Sequence, residues 1–178
     1  GMQSGSSANS AGGAVYIITA TATLQNNLVY SNTPSSTFGG AVYLRSSPSF
    51  LSHNMFLSNT ATLGGALLLT LSNATLTDNI FADNSSTGGG GAVYLHASSY
   101  ATLTNNIFRN NSAASGGGLT IVRNSDALLI NNFIVDNQAD VIGSGIRVYS
   151  AAPRLLHNTI VGNNSSGISG IHITKGRD

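Results

Sequence analysis

The sequence is poor in charge and lacks both cysteine and glutamate. Charged residues make up 7% of its 178 residues, and Lys175 is the one lysine. In typical globular domains about a quarter of the residues are charged. Amphipathic helices need Glu, Lys and Arg on their solvent faces, so this composition excludes a fold built from them. The absence of cysteine excludes disulfides and thiolate metal sites, but it does not fix the cellular compartment.

The net charge and the hydrophobic pattern exclude further classes. A net charge of +1 provides no electrostatic footprint for nucleic acid, so we expect no nucleic-acid partner. No apolar run approaches the roughly 20 residues that a transmembrane helix needs. The hydrophobic content of 41% argues against disorder. Gly1 precedes Met2, as after removal of a tag, so we assign a single domain to residues 2–178. The sequence itself carries no signal peptide, and trimming of a native one would be compatible with the secreted or surface location that we expect.

A short glycine phrase recurs along the chain. It reads Gly-Gly-Ala-Val-Tyr-Ile from Gly12, returns from Gly39, Gly64 and Gly90, and is degenerate from Gly116 onward. The third residue of the phrase falls at seven positions spaced by 25–27 residues: Ala14, Ala41, Ala66, Ala92, Gly118, Gly145 and Gly170. A fixed period of this length indicates a repeat architecture.

Two columns of asparagine keep the same period between the glycine phrases. The first column is Asn27, Asn54, Asn79, Asn106, Asn132 and Asn158. The second column follows five residues later: Asn32, Asn59, Asn84, Asn111, Asn137 and Asn163. Two independent columns that stay in step over six repeats exclude a chance pattern.

The period predicts an all-β fold. Three short strands joined by three tight loops fit 25–27 residues and form one turn of a solenoid. Each turn of the solenoid would lie about 4.8 Å above the last. Right-handed crossovers are the rule for parallel strands. We therefore predict a right-handed parallel β-helix solenoid of about seven turns with three strands in each. A segment of this kind would belong to a longer solenoid or pair end to end with other copies, because uncapped ends expose strand edges.

Strand alternation predicts which side chains of the glycine phrase face the core. The fourth and sixth positions are aliphatic in every repeat, and we place them inside. The fifth position includes Arg147 and His172, which would be costly in an apolar interior, so we place it outside. We expect a flat outward strip that binds a ligand through the following residues: Tyr16, Tyr43, Arg45, Tyr94, His96, Arg147, Tyr149 and His172. Aromatic faces beside hydrogen-bonding groups suit sugar rings, although tyrosine also simply favours strands.

We interpret the asparagine columns as structural ladders. Asparagine tolerates left-handed backbone angles, bonds backbone groups at turns and can stack with its copies above and below. The alternative is a sugar-binding role for the whole ladder, which would require the amides to face solvent.

The repeats resemble a known group of surface proteins. The glycine phrase alternates with Phe-x-x-Asn, from Phe56 to Asn59, from Phe81 to Asn84 and from Phe108 to Asn111. This pairing resembles the repeats of polymorphic outer membrane protein passengers, which are bacterial surface-exposed adhesin-like domains. More broadly, the chain is similar to right-handed parallel β-helix proteins of the pectin-lyase-like superfamily, which includes adhesins, lyases, hydrolases and epimerases.

The residues that could perform chemistry do not converge in the predicted register. Hydrolysis of a glycoside needs two carboxyl groups about 5–10 Å apart. Asp83 and Asp136 share a column but lie two turns apart, and Asp78 occupies an Asn-rich corner. His53 and His157 precede ladder asparagines, where we interpret them as turn residues rather than as metal ligands. We therefore name no catalytic residue, no metal site and no cofactor.

Two functions remain open at this stage. We favour a secreted or surface-displayed adhesin or structural stalk that binds a polysaccharide or a host cell-surface partner. The alternative is a polysaccharide-active lyase, epimerase or hydrolase, or a piece of one. An adhesin or stalk needs only a long stable face, whereas an enzyme needs acid, base or metal-binding side chains that lie close together.

Overall fold

A computed structural model describes residues 12–34 and 38–175 of the chain. Among these residues every regular element is a β-strand, and all strand pairs are parallel. Each strand pairs with its copies one repeat earlier and one repeat later, in the register that the glycine phrase predicts. The predicted all-β parallel solenoid is confirmed. No helix in the described part of the chain is long and apolar enough to span a membrane.

The strands form four sheets that run the length of the solenoid. Sheet 1 follows the glycine phrase and contains Val15–Ile18, Val42–Arg45, Leu67–Thr70, Val93–His96, Leu119–Val122, Ile146–Tyr149 and Ile171–Thr174. Sheet 2 contains Thr23–Gln25, Phe50–Ser52, Thr75–Thr77, Thr102–Thr104, Leu128–Ile130 and Arg154–Leu156. Sheet 3 contains Leu28–Tyr30, Met55–Leu57, Ile80–Ala82, Ile107–Arg109, Phe133–Val135 and Thr159–Val161. Sheet 4 contains Thr60–Leu63, Ser85–Gly89, Ser112–Ser115, Gln138–Ile142 and Asn164–Ser165.

The structure differs from the sequence prediction in two details. A turn contains four strands rather than three, because the segment between the second asparagine column and the glycine phrase pairs with its copies as sheet 4. The stack has about six complete turns rather than seven, because the last glycine phrase contributes only its strand of sheet 1. Differences in repeat length are absorbed in sheet 4, where the pairing register shifts in each long strand pair, and at the corner between sheets 1 and 2.

Residues with a left-handed backbone conformation mark the corners. Between sheets 4 and 1 this residue is always glycine, as at Gly64 and Gly90. At the other three corners the left-handed residues are mostly Ser, Asn, Asp or His, and the exceptions are Thr19, Leu71, Ala97, Arg123 and Gly162. In the two asparagine-bearing corners, the left-handed residue is the one before the ladder asparagine. The backbone tolerance of asparagine is therefore used at Asn26 and Asn105 and not by the ladder itself.

The ladder asparagines point into the solenoid and bond from turn to turn. Asn84 shows the pattern: its Oδ1 accepts the Asn59 backbone N–H at 2.9 Å and the Asn59 Nδ2 at 3.0 Å. Its Nδ2 donates to the Phe56 carbonyl at 2.9 Å and to Asn111 Oδ1 at 3.0 Å. The four central members of both ladders are 0–1% exposed. This burial excludes the alternative in which the ladders bind sugar, because the amides do not face solvent.

The core between the sheets is apolar and in register. The fourth and sixth positions of the glycine phrase are completely buried from Val42 to Val148, as predicted. Sheet 3 contributes Phe56, Phe81 and Phe108, whose rings stack at 4.9 Å, which is one strand spacing. A column of buried serines, Ser47, Ser72, Ser99 and Ser125, follows the corner between sheets 1 and 2. The backbone N–H of each of the first three donates to the next serine hydroxyl.

Replacing one ladder asparagine tests how strongly the turns are coupled. Asn84→Ala removes four side-chain hydrogen bonds and leaves the Asn59 backbone N–H buried without a partner, whereas the Phe56 carbonyl stays in the strand pairing of sheet 3. With about 1–3 kcal/mol for the orphaned N–H and about 1 kcal/mol for each of the other three lost bonds, we expect the free energy of unfolding to fall by about 3–5 kcal/mol. Denaturant titration followed by circular dichroism measures this loss.

The matched control for this test is Asn110→Gly. Asn110 is exposed, has a φ of 54° and immediately precedes the ladder residue Asn111. Glycine accepts that conformation without strain, so we expect a change below about 1 kcal/mol. Equal losses from the two variants would contradict a special role for the ladder.

Candidate ligand-binding cleft

Sheets 4 and 1 meet at a corner where sheet 4 lies close to the outer face of sheet 1. The glycines of this corner are required by close backbone approach, since a Cβ on Gly40 would lie within bonding distance of the Gly65 carbonyl oxygen. The Thr120 hydroxyl on sheet 1 donates to the Ser115 carbonyl at the end of sheet 4. Phe38 occupies the position of Ser115 three turns earlier, and its ring lies 6.2 Å from the Tyr43 ring. The outer face of sheet 1 is therefore recessed beside sheet 4.

This recess changes the predicted outward strip. The fifth positions do face away from the core, but Leu68 and Thr120 are buried and Tyr43 is only 9% exposed. The expectation of one flat exposed face is wrong, because the ends of the sheet 4 strands cover this column. The predicted strip therefore forms the floor of a cleft and not a flat exposed surface.

The cleft has an apolar floor with polar and cationic groups at its rim. It has a volume of about 300 Å³ and is lined by Phe38, Tyr43, Arg45, Leu63, Leu68, Thr70, Leu71 and His96. Leu71, an exposed corner residue, forms one wall, and Phe38 and Leu63 from the sheet 4 side form the other. Ligand sites typically measure roughly 300–1,000 Å³, so this cleft has room for a small ligand or for one part of a longer one.

The structure brings five of the eight predicted strip residues to this region. Tyr43, Arg45 and His96 line the cleft directly. Tyr16 stacks on Tyr43 with ring centroids 5.2 Å apart, and Tyr94 lies beside His96 with centroids 6.1 Å apart. The strip thus supplies the aromatic stack and the basic rim of one end of sheet 1.

The remaining three predicted residues form a separate group nearer the C-terminus. Arg147 pairs in register with His172, and its guanidinium lies 5.7 Å from the Tyr149 ring centroid. Arg147 Nε and His172 Nδ1 are buried without a hydrogen-bond partner. Thr120 and Val122 are buried on the intervening turn and separate this group from the cleft.

Charge around His96 sets its protonation. Burial lowers the pKa of His96 below its ordinary 6.5, and the nearby positive charge of Arg123 lowers the pKa further. Burial raises the pKa of Tyr94, and the charges of Arg147 and Arg123 oppose that rise. At neutral pH both side chains are therefore uncharged, and each presents a neutral hydrogen-bonding group.

Sequence reasoning missed Arg123 and the walls of the cleft. Arg123 is the corner residue that directly follows a sheet 1 strand, in the column of Ser46, Leu71 and Ala97. Extending the glycine phrase by two residues would have included it. Phe38 and Leu63 could not have been found in this way, because the fold of sheet 4 over sheet 1 is a tertiary feature.

The aspartates lie elsewhere on the solenoid. Asp78 Oδ2 lies 3.6 Å from His53 Nε2 at the corner between sheets 2 and 3. Asp126 Oδ1 accepts the Ala152 N–H at 2.7 Å. None of the residues that line the cleft carries a carboxylate. Over residues 12–34 and 38–175, no three His or Asp side chains are grouped so that they could hold a metal ion.

The fold defines a class, the parallel β-solenoid. The comparison with family models agrees with this class. The model described as "Right handed beta helix region" matches residues 13–178, so the chain belongs to that family. Comparisons with curated proteins and with solved structures found no match.

The lowered pKa of His96 predicts a pH dependence of stability. Below about pH 6.5 the unfolded chain binds a proton at this histidine more readily than the folded chain does. The free energy of unfolding must then fall as the pH drops from about 6.5 toward the lower pKa of the folded state. His96→Thr places at this position the residue that occupies it one turn earlier, Thr70, and should flatten that part of the profile.

Denaturant midpoints measured between pH 4.5 and 8 check this prediction. His157→Asn is the matched control, because His157 is exposed and shares its corner column with Asn105 and Asn131. We expect the control to keep the wild-type slope between pH 6.5 and the folded-state pKa. An unchanged slope in His96→Thr would show that burial of His96 does not govern this range.

Proposed function

We propose that the chain is a non-catalytic β-helix, secreted or displayed on a cell surface, that serves as an adhesive stalk and binds a glycan in the cleft. The observation that carries the proposal is the composition of the cleft: an apolar floor with Arg45, His96 and Thr70 on sheet 1. Sugar rings present apolar C–H faces and a rim of hydroxyl groups, and this arrangement matches both.

The rigidity of the floor supports binding without catalysis. Tyr43 and Leu68 are fixed by parallel pairing on both sides and by a core that is completely buried beneath them. A site that is already ordered loses little conformational entropy when a ligand binds, which favours affinity. Positions that repeat every strand spacing also suit an extended, repetitive ligand.

The stalk and surface parts of the proposal are supported by architecture and by resemblance. A solenoid extends in one dimension and presents long faces, which suits a spacer that carries binding sites. The alternation of Gly-Gly-Ala with Phe-x-x-Asn resembles polymorphic outer membrane protein passengers, and in the structure Phe56, Phe81 and Phe108 are the stacked core rings.

One observation favours a second candidate, a polysaccharide lyase. His96 is neutral at pH 7 and lies near Arg123, so a base and a cation occur together at the cleft. A lyase needs a base to remove a proton beside a carboxylate and a positive charge to stabilise the resulting anion. We place this candidate second, because a lyase also needs an acid that protonates the leaving group. The nearest such side chain to His96 is Tyr94, which lies beside that histidine and does not line the cleft.

Binding assays on cleft variants test the proposal. The protein would be screened on an array of neutral and acidic oligosaccharides, and the strongest binder would be titrated by calorimetry. Leu71→Asn removes one apolar wall and keeps a residue that accepts φ of 54°, and Arg45→Ala removes the exposed cation. We expect each to weaken binding about tenfold or more, equivalent to about 1.4 kcal/mol.

Matched controls separate the cleft from the rest of the surface. Ser150→Asn changes the same corner column three turns away from Leu71, and Arg154→Ala removes an exposed arginine of sheet 2. Both should bind like the wild type. Tyr43→Ala is not suitable, since truncating a nearly buried side chain would also perturb packing.

No binder on the array, or binding that survives both cleft variants, contradicts the proposal. Unsaturated product from polyuronates, measured by ultraviolet absorbance and lost in His96→Thr, would support the lyase instead.

A further inference from the structure

The outer face of sheet 3 is apolar along its whole length. Each strand has three residues, of which the middle one points into the core and the other two lie on the opposite side of the strand. Among these outer residues Ala82 is fully buried by its neighbours, so the centre of the face is recessed at this position. Ten of the twelve outward residues are apolar: Leu28, Tyr30, Met55, Leu57, Ile80, Ala82, Ile107, Phe133, Val135 and Val161. The other two are Arg109 and Thr159. We call these twelve residues the sheet 3 face.

The neighbouring sheet shows that this composition is not general to the chain. Sheet 2 has the same strand length and the same alternation, yet eight of its twelve outward residues are polar: Thr23, Gln25, Ser52, Thr75, Thr77, Thr102, Thr104 and Arg154. Sheet 2 therefore presents a mostly polar face to water, with threonine as its commonest residue. The sheet 3 face departs from that pattern over six consecutive turns.

The exposed area is large enough for a stable interface. Six large apolar side chains of this face are each 36–62% exposed: Leu28, Tyr30, Met55, Ile107, Phe133 and Val161. At roughly 150–250 Å² for a large side chain, they expose on the order of 600 Å². That is at or above the largest patch of a typical monomer. Two copies that each bury this area would together bury roughly 1,200 Å², which exceeds the roughly 1,000 Å² expected of a specific interface.

The charges at the centre of the face indicate what covers it. Arg109 is the one charged member of the face, and in the described residues its side chain makes no ion pair or hydrogen bond. Asp83 lies at the corner next to it, directly after the preceding strand, Ile80–Ala82. These two strands are the third and fourth of six, so the two charges lie at the midpoint of the face.

We propose that the sheet 3 face is the interface of a homodimer in which two solenoids pack with antiparallel axes. A two-fold axis along the strands, between the third and fourth strands, places Arg109 of one copy opposite Ala82 of the other. Asp83 of the second copy then lies one residue further along. Because the axis is two-fold, the same pair forms twice, and two arginines and two aspartates alternate around it.

The competing symmetric arrangement does not pair these charges. With parallel axes, each strand faces its own copy in the reverse direction, and Arg109 lies opposite Ile107. In that arrangement the partner brings no carboxylate to Arg109, so the interface buries the arginine without the intermolecular ion pair that the antiparallel arrangement supplies. In the antiparallel arrangement, Asp136 faces Ser58 and Asp83 faces Asn110 at the corners, so no two carboxylates are opposed. Charge thus selects the antiparallel dimer.

The dimer leaves the proposed ligand site open. No residue that lines the cleft belongs to sheet 3, and the core separates sheet 3 from sheet 1. The interface and the cleft can therefore be tested independently, and failure of one proposal does not affect the other.

Sedimentation analysis over a range of concentrations tests for the dimer. We expect the wild type to dimerise and Ile107→Lys, at the centre of the face, to raise the dimer dissociation constant at least 100-fold. Thr102→Lys is the matched control, because Thr102 faces outward on sheet 2 in the same turn and should leave dimerisation unchanged. Circular dichroism verifies that each variant is folded. A wild type that stays monomeric, or a dimer that tolerates Ile107→Lys, overturns the proposal.

A charge exchange tests the antiparallel arrangement. Arg109→Asp should weaken the dimer at least tenfold, and the double variant Arg109→Asp with Asp83→Arg should restore it. Arginine is compatible with the corner conformation at position 83, since Arg123 adopts a φ of 54° at a similar corner. Failure of the double variant to recover, when both single variants remain folded, overturns the pairing of these charges.

A distance measurement provides a second test of the same arrangement. The chain has no cysteine, so Thr159→Cys introduces a single site for a spin label on the last strand of the face. In the antiparallel dimer the two labels are five strand spacings apart along the axis, roughly 24 Å. In a parallel dimer they would lie roughly 10 Å apart, the distance between packed sheets. The shorter distance overturns the proposal.

Discussion

The rest of the structure depends on the buried asparagine amides that bond from each turn to the next. Every central ladder residue donates and accepts across the turn boundary, so each turn must return to the same place above the last. A misplaced turn would leave several buried polar groups without partners, which is far more costly than one lost surface contact. The asparagine ladders therefore hold the stack in register, while the aliphatic columns supply the area buried in the core.

This internal constraint leaves the outer faces free to differ. The polar groups of two corners are satisfied inside the solenoid, and the strands pair with their own copies, so an outward residue that is exposed affects the fold little. Sheet 2 carries threonine, sheet 3 carries large apolar side chains, and sheet 1 carries tyrosine, arginine and histidine. Three chemically distinct surfaces on one regular scaffold are consistent with separate roles for the faces, namely solvation, self-association and ligand binding.

The cleft arises at the corner between sheets 4 and 1. The second glycine of each Gly-Gly pair packs against the carbonyl of its copy in the next turn, and a Cβ on Gly89 at the end of sheet 4 would meet Tyr94 and Thr120 on the outer face of sheet 1. The close approach of the two sheets buries Tyr43 and shelters His96, which lowers the pKa of the histidine with help from Arg123. A corner that serves packing thus also creates a recess in which aromatic, basic and neutral polar groups meet.

The sequence alone determined the architecture, because a repeat places the same residue types in the same local environment in every turn. The period, the inward aliphatic positions of Val42 and Leu44 and the two asparagine columns all follow from that periodicity. Only the tertiary structure decided the fourth strand, the recess over Leu68 and Thr120, and the approach of Arg123 to His96. These features depend on the angle between sheets 4 and 1, and no local pattern encodes an angle between two segments that both look like strands.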